Sequence, residues 1–176
     1  MCIGVDSVKV NVALVRYREG ETVSFDVTED FSSLELGTEG LSFQTPVHVQ
    51  LQVNNISKAL LVDGTIHTEL KASCGRCLET FVYPLSLSFQ DRWIFRTQET
   101  EDLQETALIL DKDEVDIKER IFEQIVLALP MKFTCSAECQ GLCSTCGGNR
   151  NLTPCHCGED EINPRFAALR KWQSND

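Results

Sequence analysis

Residues 66–89 read IHTELKASCGRCLETFVYPLSLSF, two alternating runs separated by a Cys-Gly-Arg-Cys turn, and the expected architecture follows from them. Ile66, Thr68, Leu70 and Ala72 alternate with His67, Glu69 and Lys71; Phe81, Tyr83, Leu85, Leu87 and Phe89 resume the pattern beyond Cys77. A period of two marks a strand with one packed face. Two such strands meeting at Cys74-Gly75-Arg76-Cys77 form a hairpin whose tip can offer two thiols to one metal ion. Upstream, Val47, Val49, Leu51 and Val53 alternate with His48, Gln50, Gln52 and Asn54, and Val8, Val10, Val12 and Leu14 predict an earlier strand of the same kind. One-sided alternation favours an antiparallel sheet, open or paired into a sandwich.

Downstream the pattern changes. Residues 97–123 hold ten acids and three bases, a net −7 of the chain's −11, and 97–116 is expected to be a solvated acidic connection with one apolar run at Ala107–Leu110. A long helix should follow, capped by Asp116 with Glu119 completing a capping box, carrying Ile117, Ile121, Ile125 and Ala128 on one face and stopped by Pro130. A short C-terminal helix is predicted from Asn163-Pro164, with Phe166, Leu169 and Trp172 on one side. The expected class is α+β: an antiparallel β domain at 1–95, an acidic linker at 96–115, a helix packed on the sheet at 116–130, and a Cys-rich zinc module with a C-terminal helix at 131–176. At 176 residues with 42% hydrophobic content, the chain suits one domain with an appendage.

Eight of the nine cysteines fall into pairs: Cys74/Cys77, Cys135/Cys139, Cys143/Cys146 and Cys155/Cys157. Zinc in structural sites takes four tetrahedral ligands, so eight thiolates make two closed centres with no remainder. Cys2 is the odd one. The favoured arrangement joins Cys74 and Cys77 with Cys135 and Cys139, leaving Cys143, Cys146, Cys155 and Cys157 as a compact second centre. The rival joins Cys74/Cys77 with Cys143/Cys146, and His156 is an alternative ligand to its neighbours. Catalytic zinc needs an open position, which four thiolates do not leave. Iron–sulfur proteins commonly carry a Cys-x-x-Cys-x-x-Cys run, which is missing here.

The acidic balance, 27 acids against 16 bases, argues against binding a nucleic acid by charge alone. Met1 to Val15 lacks the charged-then-apolar layout of a signal peptide, and no run of about 18 apolar residues predicts a membrane span. A cytoplasmic location is therefore expected. His48, His67 and His156 have no catalytic partner recognisable from sequence, so no enzyme activity and no small-molecule substrate are expected.

Several motifs resemble those of the YceD family. Cys74-Gly-Arg-Cys-Leu78 is similar to its C-x-R-C-L motif. Leu129-Pro130, Cys135-Ser-Ala-Glu-Cys139, Gly141-Leu-Cys143-Ser-Thr-Cys146-Gly, the pair Asn149 and Asn151, Cys155-His-Cys157 and Asn163-Pro164-Arg165-Phe166 follow in the family's order, with Asn163 where the family has Asp. Some family members lack the Gly-Leu-Cys-x-x-Cys-Gly element while keeping the other pairs, which favours the first pairing over its rival. The resemblance implies a role in accumulation, processing or assembly of large-subunit ribosomal RNA, with a large-subunit precursor, a ribosomal protein or ribosomal RNA as partner. Candidate RNA-facing residues are Arg76, Arg150, Arg165, Arg170 and Lys171. Two other readings compete: an adaptor whose acidic stretch holds a basic ribosomal protein without RNA contact, and a thiol redox or metal sensor.

Overall fold

The computed structural model describes residues 8–34, 36–37, 40–57, 59–96 and 107–157. In chain order the elements are β1 (Lys9–Asn11), α1 (Ala13–Arg16), β2 (Thr22–Glu29), β3 (Ser42–Phe43), β4 (Val47–Asn55), β5 (Leu60–Ser73), β6 (Thr80–Phe95), β7 (Leu108–Leu110), β8 (Glu114–Asp116) and α2 (Lys118–Ala128). The described residues are thus mostly β-sheet with few helices, and six of the nine cysteines cluster at 135–157. Six strands form one sheet in the order β2-β4-β5-β6-β7, with β3 pairing β5; β1 and β8 form a separate two-stranded ribbon.

The expected hairpin is its backbone. Strands β5 and β6 pair antiparallel from Leu60↔Trp93 to Ser73↔Thr80, so the register delivers residues 74–79 to one end of the sheet. On the packed face Val49, Ile66 and Leu87 line up across three strands, as do Leu51, Gly64 and Phe89. Gly64 of β5 allows the Phe89 ring of β6 to lie across it: a Cβ there would lie 2.3 Å from that ring and 2.9 Å from Leu51 Cδ2. No other residue tolerates so close an approach.

The layer facing the sheet is built from the ribbon and the helices. Val8, Val10, Val15, Val115, Ile117, Ile121 and Ile125 share one continuous core with Val49, Leu51, Ile66 and Leu70. Among the described residues there is no second large sheet, so one sheet with a mixed cover replaces the sandwich alternative. Helix α2 is clamped to β6 by charge as well. Buried Asp91 receives two hydrogen bonds from Arg120, both at 2.9 Å, and one from Trp93 Nε1 at 3.0 Å. That ion pair raises the Arg120 pKa.

Three expectations change. The strand predicted through Leu14 ends at Asn11, whose side-chain oxygen accepts the Ala13 amide at 2.9 Å and turns the chain into α1; Leu14 is then exposed. The stretch 96–115 is not simply a linker: 97–106 lies outside the described residues, but β7 runs parallel to β6 and β8 pairs with β1. Its described acids are also paired, Asp111 with Arg96, Asp113 with Arg16 and Glu114 with Lys9. Finally, Asp116 belongs to β8, Ile117 takes the cap position of α2, and the Asp116 carboxylate accepts the Lys118 amide at 3.0 Å. Ala128, expected on the buried face, is exposed. The helix predicted from Asn163 lies outside the described residues.

Candidate metal centres

Each Cys-x-x-Cys turn curls by the same hydrogen bonds. In the first, Cys74 N donates to Glu79 O at 2.9 Å and Leu78 N to Cys74 O at 2.9 Å. In the second, Cys143 N donates to Gly148 O at 2.8 Å and Gly147 N to Cys143 O at 2.9 Å. The residue after the second cysteine takes a left-handed backbone in both, Leu78 at φ 64° and Gly147 at φ 72°. Glycine adopts this freely, whereas Leu78 carries a steric cost. The amide two residues beyond the first cysteine then points at its sulfur, Arg76 N to Cys74 Sγ and Thr145 N to Cys143 Sγ, both at 3.4 Å.

The favoured pairing is the one the fold assembles. Cys74, Cys77, Cys135 and Cys139 form one group and Cys143, Cys146, Cys155 and Cys157 another, with the sulfurs of each within 4.8 Å of one another. In the first group Cys74 and Cys139 sulfurs are 3.8 Å apart and those of Cys77 and Cys135 3.7 Å; in the second, Cys155 lies 3.4 Å from both Cys146 and Cys143. None of the eight is in a disulfide. Both groups can therefore hold a metal ion, each with four sulfurs.

Their surroundings differ. Cys74, Cys77 and Cys139 are buried, packed with Phe81 of β6, and only Cys135 is exposed. In the second group only Cys143 is buried, and Cys146 is exposed. The first turn is also pinned to the chain after α2: Gly75 N donates to Phe133 O at 2.9 Å, and the Phe133 ring meets Tyr83 edge-on at 5.2 Å.

Both groups are prepared to lose protons. Burial pushes the Cys74 thiol up, but amides of Cys135, Cys77 and Arg76 outweigh it and bring its pKa down to about 6. The amides of Cys146 and Thr145 hold Cys143 down to about 6 as well. The hydrogen bond with Cys139, then burial, pushes Cys135 up to about 12, and that with Cys155, then with Cys146, does the same for Cys157. Each group thus holds at least one ready thiolate beside a thiol that a metal ion would have to deprotonate.

The other candidate residues fare unequally. Arg76 is exposed, but its Nη1 is engaged within the fold, donating to the carbonyls of Cys139 at 3.0 Å and Ala137 at 3.3 Å. Arg150 is exposed, as is His156, which stands outside the second group. Cys2, Arg165, Arg170 and Lys171 lie outside the described residues. A contact that residue types alone did not reveal is made by Asn151, whose Nδ2 donates to Cys139 Sγ at 3.3 Å. A polar residue held between two cysteine pairs was the available signal.

These features define a class: a β-sheet protein that carries two four-cysteine groups able to hold a metal ion, one at the tip of its central hairpin and one beside it. Residues 62–172 match the family model described as large ribosomal RNA subunit accumulation protein YceD, and the chain belongs to that family. It is similar to the uncharacterized Bacillus subtilis protein YlbN, 27% identical over 158 residues that cover 89% of this chain and 91% of that one. An uncharacterized Mycobacterium tuberculosis (strain H37Rv) protein is 31% identical over 133 residues, 69% of this chain and 59% of its own length. The chloroplastic YCED homolog 1 of Arabidopsis thaliana, named as a large ribosomal RNA subunit accumulation protein, is 24% identical over 153 residues. Those residues are 71% of this chain but 48% of the plant protein, so the chain spans about half its length. No solved structure matches the chain.

Proposed function

We propose that this protein is a non-enzymatic zinc-binding factor that supports accumulation of large-subunit ribosomal RNA, acting on the large-subunit precursor through contacts with a ribosomal protein, ribosomal RNA or both. One observation carries the metal half of this reading. With Zn–S bonds of about 2.3 Å, tetrahedral geometry puts sulfurs about 3.8 Å apart; two sulfur pairs of the first group lie at 3.7 and 3.8 Å, and two of the second at 3.4 Å. Four thiolates per ion leave no open position for a substrate or an activated water, so both ions would be structural. The role in ribosomal RNA accumulation rests on the family's description and on the plant relative's name.

Within this reading the two zinc groups are braces that present a surface. RNA contact is assigned to Arg150 together with Arg165, Arg170 and Lys171, while Arg76 serves mainly to hold the Cys135–Cys139 segment. Asp111, Asp113 and Glu114, the described acids of the 96–115 stretch, already have basic partners in the fold and so offer little to a basic protein. Action in the cytoplasm, without a membrane or small-molecule substrate, fits this role; no helix among the described residues is long and apolar enough to cross a membrane.

The test is sedimentation. A tagged chain should co-migrate with large-subunit precursors in a sucrose gradient at low salt, and ribonuclease treatment should release it. Reversing the charges of Arg150, Arg165, Arg170 and Lys171 together should move it to the top. Wild-type protein found only at the top would sink the ribosomal reading, whereas association that survives ribonuclease would favour a purely protein-binding adaptor.

A further inference from the structure

We propose that the two metal centres are coupled, and that Asn151, which sits on the loop closed by the second centre, is a positioning residue for the first. This inference rests on the reading that both groups hold metal. Asn151 lies between Cys146 and Cys155, so the four ligands of the second centre embrace the loop that carries it. Its side chain crosses to the other centre and brackets Cys139. Nδ2 donates to the Cys139 sulfur at 3.3 Å, and Oδ1 accepts the Gln140 amide at 2.8 Å.

The loop is braced to make this reach. Asn149 Oδ1 accepts both the Asn151 amide at 3.0 Å and Asn151 Nδ2 at 2.9 Å, fixing the side chain's direction. Asn149 Nδ2 in turn donates to Glu79, just beyond the first turn, at 3.4 Å. Arg150 N donates to Gly141 O at 2.9 Å, and Leu142 N donates to Arg76 O, inside the first turn, at 3.1 Å. The second turn is thus folded onto the first, and a hydrogen bond to a ligand sulfur is the end of that chain of contacts.

The physical consequence is direct. A donor on a thiolate orients it and offsets part of its charge, and loss of such outer contacts typically lowers metal affinity about 10–100-fold. Cys74 and Cys77 are held by the hairpin and the backbone of the Cys135–Cys139 segment by Arg76, but the side-chain donor to the Cys139 sulfur comes from the second centre's loop. When the second centre empties, the loop between Cys146 and Cys155 loses its closure, and Asn151 is no longer held against Cys139. Metal at the second centre therefore strengthens retention at the first. By linkage the first centre strengthens the second by the same factor.

The experiment uses the full chain, loaded with zinc, with metal content counted and zinc release followed by a chromogenic chelator. Wild type should hold two ions per chain. Cys143→Ser with Cys146→Ser, which empties the second centre, should leave one ion that departs about tenfold faster than the slower wild-type ion. Asn151→Asp keeps the acceptor for Gln140 but removes the donor to sulfur, so it should accelerate release from the first centre to a similar extent while still holding two ions. Combining the three changes should accelerate release no further than either alone, because all act through one bond. An unchanged release rate in Asn151→Asp with both ions present overturns the coupling, even if the serine variant folds poorly. Fewer than two ions in wild type would instead overturn the metal reading on which the coupling stands.

Discussion

The first and second cysteine groups start from the same turn and end in different situations. Cys74 and Cys77 sit at the end of strands 14 and 16 residues long, whose register alone brings the two thiols together. Cys143 and Cys146 sit in a segment whose only described pairing is the isolated bridge between Leu142 and Asn149. One turn is made by a sheet and offered to a metal. The other has hydrogen bonds to the first turn and, on the proposed reading, a metal to make it, since the described residues 134–157 contribute no side chain to the main hydrophobic core. The same local geometry can therefore be a product of the fold in one place and a condition for folding in another.

Removing the metal should expose this contrast most strongly. Apparent zinc-binding free energies in small domains run to about 10–16 kcal/mol, comparable to the whole stability of a domain at about 5–15 kcal/mol. After chelation, amides of residues 141–153 should exchange with solvent freely while those of β4, β5 and β6 stay protected. Hydrogen exchange read by mass spectrometry checks this. Protection of 141–153 that survives chelation would break the comparison, because the second turn would then be made by the chain.

The next effect lies wholly in the sheet. Arg120→Ala leaves Asp91, whose side chain is 2% exposed, without its partner, and breaking such a buried pair typically costs about 3–5 kcal/mol. Urea unfolding should show a loss of about 3 kcal/mol in zinc-loaded and chelated protein alike, and metal content should not change. A cost that vanished on chelation would mean that the sheet itself leans on the metal module.

What could be read from the sequence divides along the same line. The hairpin was legible because each strand is long and has two unlike faces: Ile66 and Leu70 against His67 and Glu69 is a signal that chance seldom gives. The cysteine pairs were legible because a two-residue spacer is what one ion requires. Strands β7 and β8 were hidden because three residues carry no period, and only their partners, Trp93–Phe95 and Lys9–Asn11, make them strands. The early end of β1 was hidden because Val12 and Leu14 keep the alternation while Asn11 bonds locally and turns the chain. Arg76 looked like a residue for a phosphate because its carbonyl partners lie some sixty positions away. Asn151 was visible as a residue but not as a contact, for the same reason of distance.

The smallest effect gives the finest test of the two turns. Leu78 holds a left-handed backbone and is 67% exposed, whereas Gly147 holds the same backbone with nothing within 4 Å of where a Cβ would stand. Gly147→Leu thus adds the steric cost of that conformation, about 1–2 kcal/mol, less about 0.5–1 kcal/mol of conformational entropy that the glycine loses on folding. Leu78→Gly relieves a similar strain but adds about 0.5–1 kcal/mol of conformational entropy lost on folding, so its net gain is at most about 1.5 kcal/mol. The sign of each change matters less than its dependence on metal. Leu78→Gly should raise the urea midpoint slightly with or without zinc, because the β5–β6 hairpin keeps its turn in both states. Gly147→Leu should speed zinc release from the second centre yet leave the chelated protein's urea midpoint untouched, because without metal there is no turn for the new side chain to strain. If Gly147→Leu lowered that midpoint as well, the second turn would persist in the chelated protein and strain there would be shared with the sheet.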